Sequence, residues 1–278
     1  MNNLPQWLIK RVPKQENIKK IRSLIGDGIN TVCESAKCPN IGECYNNRTV
    51  TFMILGNICT RNCGFCAVDK GSPSMPDPTE PKNVARAAQI LDLKHVVVTS
   101  PTRDDLPDGG ASYFAKTIKE IRSALPEAKV EVLVPDLKGK EEHIRKVTDA
   151  MPDILNHNIE MVPRLYNNVR PRSNYYTSIN LLRTSKKLNS NIPVKSGFML
   201  GLGEKESEIL SLIKELYSAG CDILTIGQYI APSQASAKVV EYVQPEKFEQ
   251  YRHFALSVGF KSVFSGPFIR SSYKAGEY

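Results

Sequence analysis

The sequence predicts an α/β fold, a partial (β/α)6 barrel of the TIM type with extensions at both ends, and three observations carry that expectation. Six short apolar or β-branched segments, at residues 51–55, 95–100, 130–135, 154–160, 194–200 and 223–230, read as strands. Helical patterns at 83–93, 112–125, 141–150, 178–188 and 205–219 fall between them, and a sixth at 245–258 follows the last strand. Near-continuous apolar strands alternating with helices specify a parallel sheet, and right-handed crossovers wrap such a sheet toward a barrel.

Taken in order, the first strand is Thr51-Phe52-Met53-Ile54-Leu55 and the second contains Val96, Val97 and Val98. The third holds Val130, Val132 and Val134. The fourth alternates, with Asn156, Asn158 and Glu160 on one face and Leu155 and Ile159 on the other, so its polar face points into the barrel. A polar ligand is the simplest partner for that face, and a buried polar cluster satisfied within the core is the alternative. The fifth and sixth strands end at Leu200 and near Gln228. In such folds chemistry sits at the C-terminal strand ends, so function is sought just after Leu55, Thr99, Glu160, Leu200 and Gln228.

Composition agrees with an ordinary globular chain: 278 residues, 41% hydrophobic and 24% charged, a length that suits one barrel with terminal additions. No apolar run approaches the roughly 20 residues of a membrane helix, and Met1-Asn2-Asn3-Leu4-Pro5 lacks the apolar stretch of a secretory signal. A cytoplasmic protein with no membrane partner is therefore expected. The net charge of +8 would suit nucleic acid or an acidic protein, but no block of like charges stands out and no nucleic-acid partner is expected. The densest basic stretch, Lys10, Arg11, Lys14, Lys19, Lys20 and Arg22, falls on an expected N-terminal helix. It reads as a solvated face, with docking of an acidic domain as the alternative.

Seven cysteines in a reducing compartment point to metal binding or catalysis rather than disulfides. Cys59-Thr60-Arg61-Asn62-Cys63-Gly64-Phe65-Cys66 is a CxxxCxxC motif directly after the first strand. Three thiolates in one loop can wrap an iron-sulfur cube and leave one iron open to a ligand, whereas four would close it. A zinc site with Cys44 as fourth ligand is the alternative. A second triad, Cys33-x4-Cys38-x5-Cys44, lies upstream. Cys221 stands alone and reads as a small core filler.

The CxxxCxxC motif, with an aromatic before its third cysteine, resembles the radical S-adenosylmethionine (SAM) superfamily, and the expected fold becomes the partial barrel of that type. The paired triads, Cys38-Pro39-Asn40-Ile41-Gly42-Glu43-Cys44, Arg103-Asp104-Asp105-Leu106-Pro107-Asp108-Gly109-Gly110, Asn156-His157-Asn158-Ile159-Glu160 and the terminal Arg270-Ser271-Ser272-Tyr273 resemble the lipoyl synthase family specifically. The likeness runs through almost the whole chain. It implies two 4Fe-4S clusters and SAM as cofactors. Cys59, Cys63 and Cys66 would hold the cluster whose open iron takes SAM, and its one-electron reduction would yield a 5′-deoxyadenosyl radical. Cys33, Cys38, Cys44 and Ser272 would hold an auxiliary cluster consumed as the sulfur source. The serine oxygen is the harder and poorer partner for iron, so its iron should leave first.

The resemblance further implies SAM contacts at Phe65, with a packing role as the alternative, and at Asp108, Asn158, Glu160 and Arg172, the last one of three arginines with Arg164 and Arg170, for which an acidic carrier or a plain surface position is the alternative. Gly201, in Gly197-Phe198-Met199-Leu200-Gly201-Leu202-Gly203-Glu204, would let the backbone approach the adenine. Thr99 and Gln228 at strand ends complete the expected set, and no catalytic residue is expected beyond the cluster ligands. The implied reaction inserts two sulfur atoms at C6 and C8 of an octanoyl chain on a lysine of a lipoyl domain or a glycine-cleavage H-type protein, with electrons from a donor such as ferredoxin or flavodoxin. Residues 1–48 would carry the auxiliary cysteines, 49–231 the barrel, and 232–278 a helix and a tail that closes the auxiliary cluster. Pro101-Thr102, Met161 and the segment 231–236 depart from the family pattern and bear on substrate contacts rather than on the clusters. A different radical sulfur-insertion enzyme and a two-cluster electron carrier are the alternative functions.

Overall fold

In the computed structural model, which describes residues 4–10, 15–26 and 28–277, seven parallel strands lie side by side in chain order. They are β1 (Thr51–Met53), β2 (His95–Thr99), β3 (Lys129–Leu133), β4 (Ile154–Asn156), β5 (Val194–Leu200), β6 (Ile223–Gln228) and β7 (Ser262–Gly266). A two-residue strand, Asn30–Thr31, adds antiparallel to the outer edge of β1. Six helices alternate with the strands: α1 (Glu80–Ile90), α2 (Ala111–Ala124), α3 (Glu141–Thr148), α4 (Tyr175–Leu188), α5 (Glu206–Ser218) and α6 (Pro245–Val258). The six expected βα units are all present.

Two elements differ from the sequence expectation. β7 extends the sheet beyond the sixth strand, in register from Ser262 opposite Ile223 to Gly266 opposite Gly227. Its sequence, Ser262-Val263-Phe264-Ser265-Gly266, buries only Val263 fully and so lacks the apolar run that marked the other six. β4 stops at Asn156 rather than Glu160. Glu160 adopts a left-handed φ of +69° and rejoins β5 only through one bridge to Phe198. That irregular backbone turns both Asn158 and Glu160 toward the strand ends.

Strand alternation sorts the side chains. One parity, including Val96, Val98, Val130, Val132, Leu224 and Ile226, packs under the helices with Phe114, Ile118, Ile213 and Phe248. The other parity points inward, and there the barrel is polar. Glu131 on β3 and Lys195 on β5 are both fully buried and meet at 2.8 Å. Asn156 Nδ2 and His95 Nε2 also reach Glu131, at 3.1 and 3.2 Å. Burial opposes ionisation of both Glu131 and Lys195 and lowers the Lys195 ammonium, yet Lys195 and His95 hold the Glu131 carboxyl below the usual range, and the 2.8 Å contact is that of an ion pair.

The basic stretch does not lie on one helix face. Lys10 precedes the helix Gln15–Ile25, whose Ile21 and Ile25 are buried, and its Nζ bonds Asn40 Oδ1 at 2.7 Å and Glu43 Oε2 at 2.9 Å. Arg22 pairs with Glu34, whereas Lys19 and Lys20 are exposed. Arg11 and Lys14, like Met1 to Asn3, lie outside the described residues. No described helix is long and apolar enough to cross a membrane.

Replacing Lys195 by Met strands the Glu131 carboxylate in the barrel and is expected to lower stability by about 3–5 kcal/mol. The double change Lys195→Met with Glu131→Leu should recover most of that loss. Urea midpoints of the three apo chains test it, and equal midpoints for the single and double variants would contradict a charged interior pair.

Candidate metal and cofactor sites

The chain leaves β1 through a tight turn in which Leu55 takes a φ of +68°. Glu80 accepts the Leu55 N–H at 2.7 Å, and the buried Arg103 donates to Leu55 O at 2.8 Å while its Nε and Nη2 grip Asp105. This turn delivers Ile58–Cys59, which pairs with Asp69–Lys70 in a small parallel ribbon enclosing the CxxxCxxC loop. Within the loop Arg61 is buried and reaches Asp104 with Nε and Nη2, both at 2.8 Å, and Asp136 with Nη1 and Nη2. Gly64 donates its N–H to Val169 O and accepts from Ala237 N, so the loop is held from two further sides.

Cys59, Cys63 and Cys66 open on a cavity of about 190 Å³ at the C-terminal ends of the strands. Sheet register explains part of its wall: Met53, Thr99 and Leu133 stand opposite one another on β1, β2 and β3, and all three line it. Phe65, Asn158, Glu160, His157 and Arg170 complete much of the rest. Gly197 is required beside it, because a Cβ there would sit 2.2 Å from Thr225 Oγ1 and 3.2 Å from Asn158 Oδ1.

Electrostatically this cavity favours neutral acids and bases but keeps one strong cation. Burial pushes the Glu160 carboxyl up, against the pull of Arg170. Burial lowers His157 to about 4, and its ring nitrogens are engaged by Val134 O and Ser178 Oγ, so it is a neutral wall residue. Arg170 stacks on Tyr166 and bonds its hydroxyl at 2.9 Å, yet its buried Nε has no hydrogen-bond partner among the described residues.

The second triad forms around short local structure. Thr31 caps the helix Val32–Ser35 by accepting the Glu34 N–H, Cys38 N bonds Cys33 O, and Cys44 N bonds Asn40 O. Cys33, Cys38 and Cys44 then line one small hollow with Ser272 and Arg270 of the tail. The tail is fastened there by Asn40 Nδ2 to Phe268 O at 2.7 Å, by Tyr273 Oη to Glu43 Oε1 at 2.6 Å, and by Lys10 Nζ lying 4.5 Å from the Phe268 ring centre. Residues more than two hundred positions apart thus meet in one donor set.

Both donor sets fit iron-sulfur clusters. Burial pushes the Cys33 and Cys66 thiols up to about 11 and Cys44 up to about 12, so their thiolates need a strong local cation. No three Cys, His, Asp or Glu side chains among the described residues close tightly around a single metal ion. A polynuclear cluster, each of whose irons takes at most one protein ligand, accommodates the looser triads. The orphaned Arg170 Nε beside Cys63 and Glu160 likewise fits a polar ligand carrying a carboxylate.

Of the other expected SAM contacts, Phe65, Thr99, Asn158 and Glu160 are gathered at the first cavity, and four residues are not. Asp108 starts α2 instead, accepting from Gly110 N, Ser112 N and Lys146 Nζ. Arg172 is exposed and donates to Thr60 O at 2.9 Å, so the arginine at the cavity is Arg170. Gly201, with φ +104°, and Gln228 touch each other: Gln228 bonds Glu241 O and Val243 N, and a Cβ on Gly201 would lie 2.2 Å from Gln228 Nε2. They clamp residues 240–243 to the barrel. Sequence reasoning missed Arg61 with Asp104 and Asp136. The one available signal was a basic residue inside a cysteine loop, and nothing local marks its two distant carboxylates. Cys221 is buried, as expected of a core filler.

A model of the radical SAM superfamily matches residues 53–216. Lipoyl synthase of Caldanaerobacter subterraneus subsp. tengcongensis is 55% identical over 98% of this chain and 95% of its own length. Lipoyl synthase of Caldicellulosiruptor saccharolyticus is 49% identical over 98% of this chain and 96% of its own. The chain belongs to the lipoyl synthase family of the radical SAM superfamily. Among solved structures, methylornithine synthase superposes with a TM-score of 0.58 at 12% identity, covering 76% of this chain and 69% of that one, a likeness of fold.

Two outcomes follow from the geometry. Burial opposes ionisation of Asp108, but hydrogen bonds from Ser112 and Lys146 outweigh it and bring the carboxyl down to about 2. Its stabilisation, about 2 kcal/mol at most, is complete above pH 4 and is lost as pH falls toward 2. Asp108→Asn should therefore lower the urea midpoint at pH 7 and converge with the parent near pH 2, while SAM affinity at pH 7 stays unchanged. Arg61→Ala leaves two carboxylates facing each other and should cost about 3–5 kcal/mol. Reconstituted iron should fall at the first site, and Arg61→Lys should restore it only in part because a single ammonium cannot make the bidentate pairs.

Proposed function

We propose that this chain is a lipoyl synthase, inserting two sulfur atoms at C6 and C8 of an octanoyl chain carried on a lysine of a lipoyl-domain protein. The observation that carries the reading is the pairing of two three-cysteine sites, the second completed by Ser272 from the opposite end of the chain. Family membership at about half identity over nearly the full length supports the same activity.

An alkyl C–H bond has no proton that a side-chain base can remove, so the hard chemistry belongs to a cofactor. In this reading Cys59, Cys63 and Cys66 would hold the cluster that with SAM would supply the hydrogen-abstracting radical, and Cys33, Cys38, Cys44 and Ser272 would hold the cluster that would supply sulfur. The protein's part is placement and exclusion of water. Arg61 fixes the first cysteine loop, Arg103 and Glu80 fix the turn that feeds it, and the apolar wall of Met53, Phe65 and Leu133 keeps the cavity dry. Phe65, Asn158 and Glu160 are assigned to SAM, with Arg170 taking its carboxylate in place of Arg172. Thr99 shapes the wall, its hydroxyl being spent on Leu133 O.

In the same proposal residues 1–48 and 232–278 cooperate as the auxiliary-cluster holder of the barrel at 49–231, and the enzyme works in the cytoplasm. A lipoyl domain or a glycine-cleavage H-type protein presents the octanoyl-lysine, and a low-potential carrier such as ferredoxin or flavodoxin supplies electrons.

Anaerobic incubation of the reconstituted protein with an octanoyl-lysine peptide, SAM and a reductant should add two sulfurs to the peptide mass and release 5′-deoxyadenosine. Cys59→Ala should abolish 5′-deoxyadenosine, whereas Cys33→Ala should retain SAM cleavage without sulfur insertion. Lipoyl product from both variants would sink the assignment.

A further inference from the structure

Ser271 stands between the two cysteine sites and is pinned from both sides. Its Oγ donates to Asn158 Oδ1 at 2.7 Å, on the wall of the first cavity. Its carbonyl accepts from Lys195 Nζ, which is fully buried and itself held by Glu131 at 2.8 Å. The next residue is Ser272, on the hollow of the second triad. Arg270, on the other side, lines that same hollow, and its guanidinium lies within electrostatic reach of Cys38 and of Glu160.

Backbone reach makes the consequence direct. Ser272 is a short side chain, so where its oxygen sits is set by the peptide on either side of it. Beyond it Tyr273 is tied to Glu43 of the N-terminal segment, and before it the anchors belong to the barrel: Lys195 on β5 and Asn158 after β4. The barrel interior therefore decides the position of a group assigned to a site outside it.

From this we infer that Ser271 is a positioning residue for the auxiliary site. Its hydrogen bond to Asn158, with the Lys195–Glu131 pair as floor, holds Ser272 where its oxygen meets the fourth iron. The inference rests on the reading of Cys33, Cys38, Cys44 and Ser272 as ligands. It also makes Asn158 a shared residue, facing SAM on one side and the auxiliary ligand on the other.

The test reads iron lability rather than turnover. Holoenzyme carrying two clusters is mixed anaerobically with an iron chelator, with no SAM present, and a Cys33→Ala chain gives the first site's contribution for subtraction. Ser271→Ala should release auxiliary iron about fivefold faster, the scale of one net hydrogen bond. Asn158→Ala should do the same from the other end, the double variant should add nothing further, and Ser271→Thr should restore the parent rate. Should Ser271→Ala fail to take up iron, the Asn158→Ala comparison with its parent still decides. Parent-like release in the alanine variants, or additive effects in the double variant, would overturn the inference while leaving the two-cluster reading intact. A parent that never takes up a second cluster's iron would overturn both.

Discussion

A charge inside this barrel is tolerable only when it is paired, and the architecture is arranged around that constraint. Desolvating an ion costs several kcal/mol, which geometry and further hydrogen bonds must offset. Lys195 and Glu131 satisfy it at the centre with help from Asn156 and His95. Arg61 satisfies it at the cysteine loop with two carboxylates, and Arg103 satisfies it below β1 with Asp105 and two carbonyls. Each of these cations ties together segments remote in sequence, so the pairs that make burial possible are also the struts that hold the loops.

The same logic explains why the chain ends matter. An open barrel of seven strands leaves an exposed edge at β1, and the N-terminal segment covers it with Asn30–Thr31 before folding into the second triad. The tail returns along β7, on the far edge, and crosses to meet it. Lys10, Asn40 and Glu43 from one end engage Phe268 and Tyr273 from the other. Neither end could form this hollow alone, because the three cysteines that line it come from one and Ser272 from the other.

How much of this was legible in the sequence depended on whether the signal was local. Six strands and six helices announced themselves through apolar runs and helical periodicity, and both cysteine triads through spacing. β7 did not, because a strand at the open edge needs no continuous apolar run. Thr99, Asn158 and Glu160 were reachable because they stand at or just beyond strand ends and, like Phe65 in the cysteine loop, fall within or beside family-like motifs, and all four line the cavity. Gly201 and Gln228 sit at strand ends and Asp108 in the loop between β2 and α2, yet their polar or glycine character serves helix initiation and the clamping of residues 240–243. A motif reports that a residue type is required and not which of two local demands requires it. Arg61 with Asp104 and Asp136 was invisible for the opposite reason: the partners are separated by tens of residues, and only folding brings them into one hydrogen-bond set.

The two thiol sites differ in a way that suits different fates. The first is a loop of near neighbours, Cys59 to Cys66, braced by Arg61, by Gly64 on both sides and by the turn at Leu55. A group held there would have its three cysteines on one braced loop, which favours retention through repeated use. In the second, the donor proposed as fourth ligand comes from a separate segment, and the Ser272 oxygen would be a harder and weaker partner for iron than a thiolate. On that proposal, opening it would call for movement of one tail residue rather than disruption of a loop. The permanence proposed for one site and the expendability proposed for the other are thus matched by how many segments, and which side-chain donors, build each.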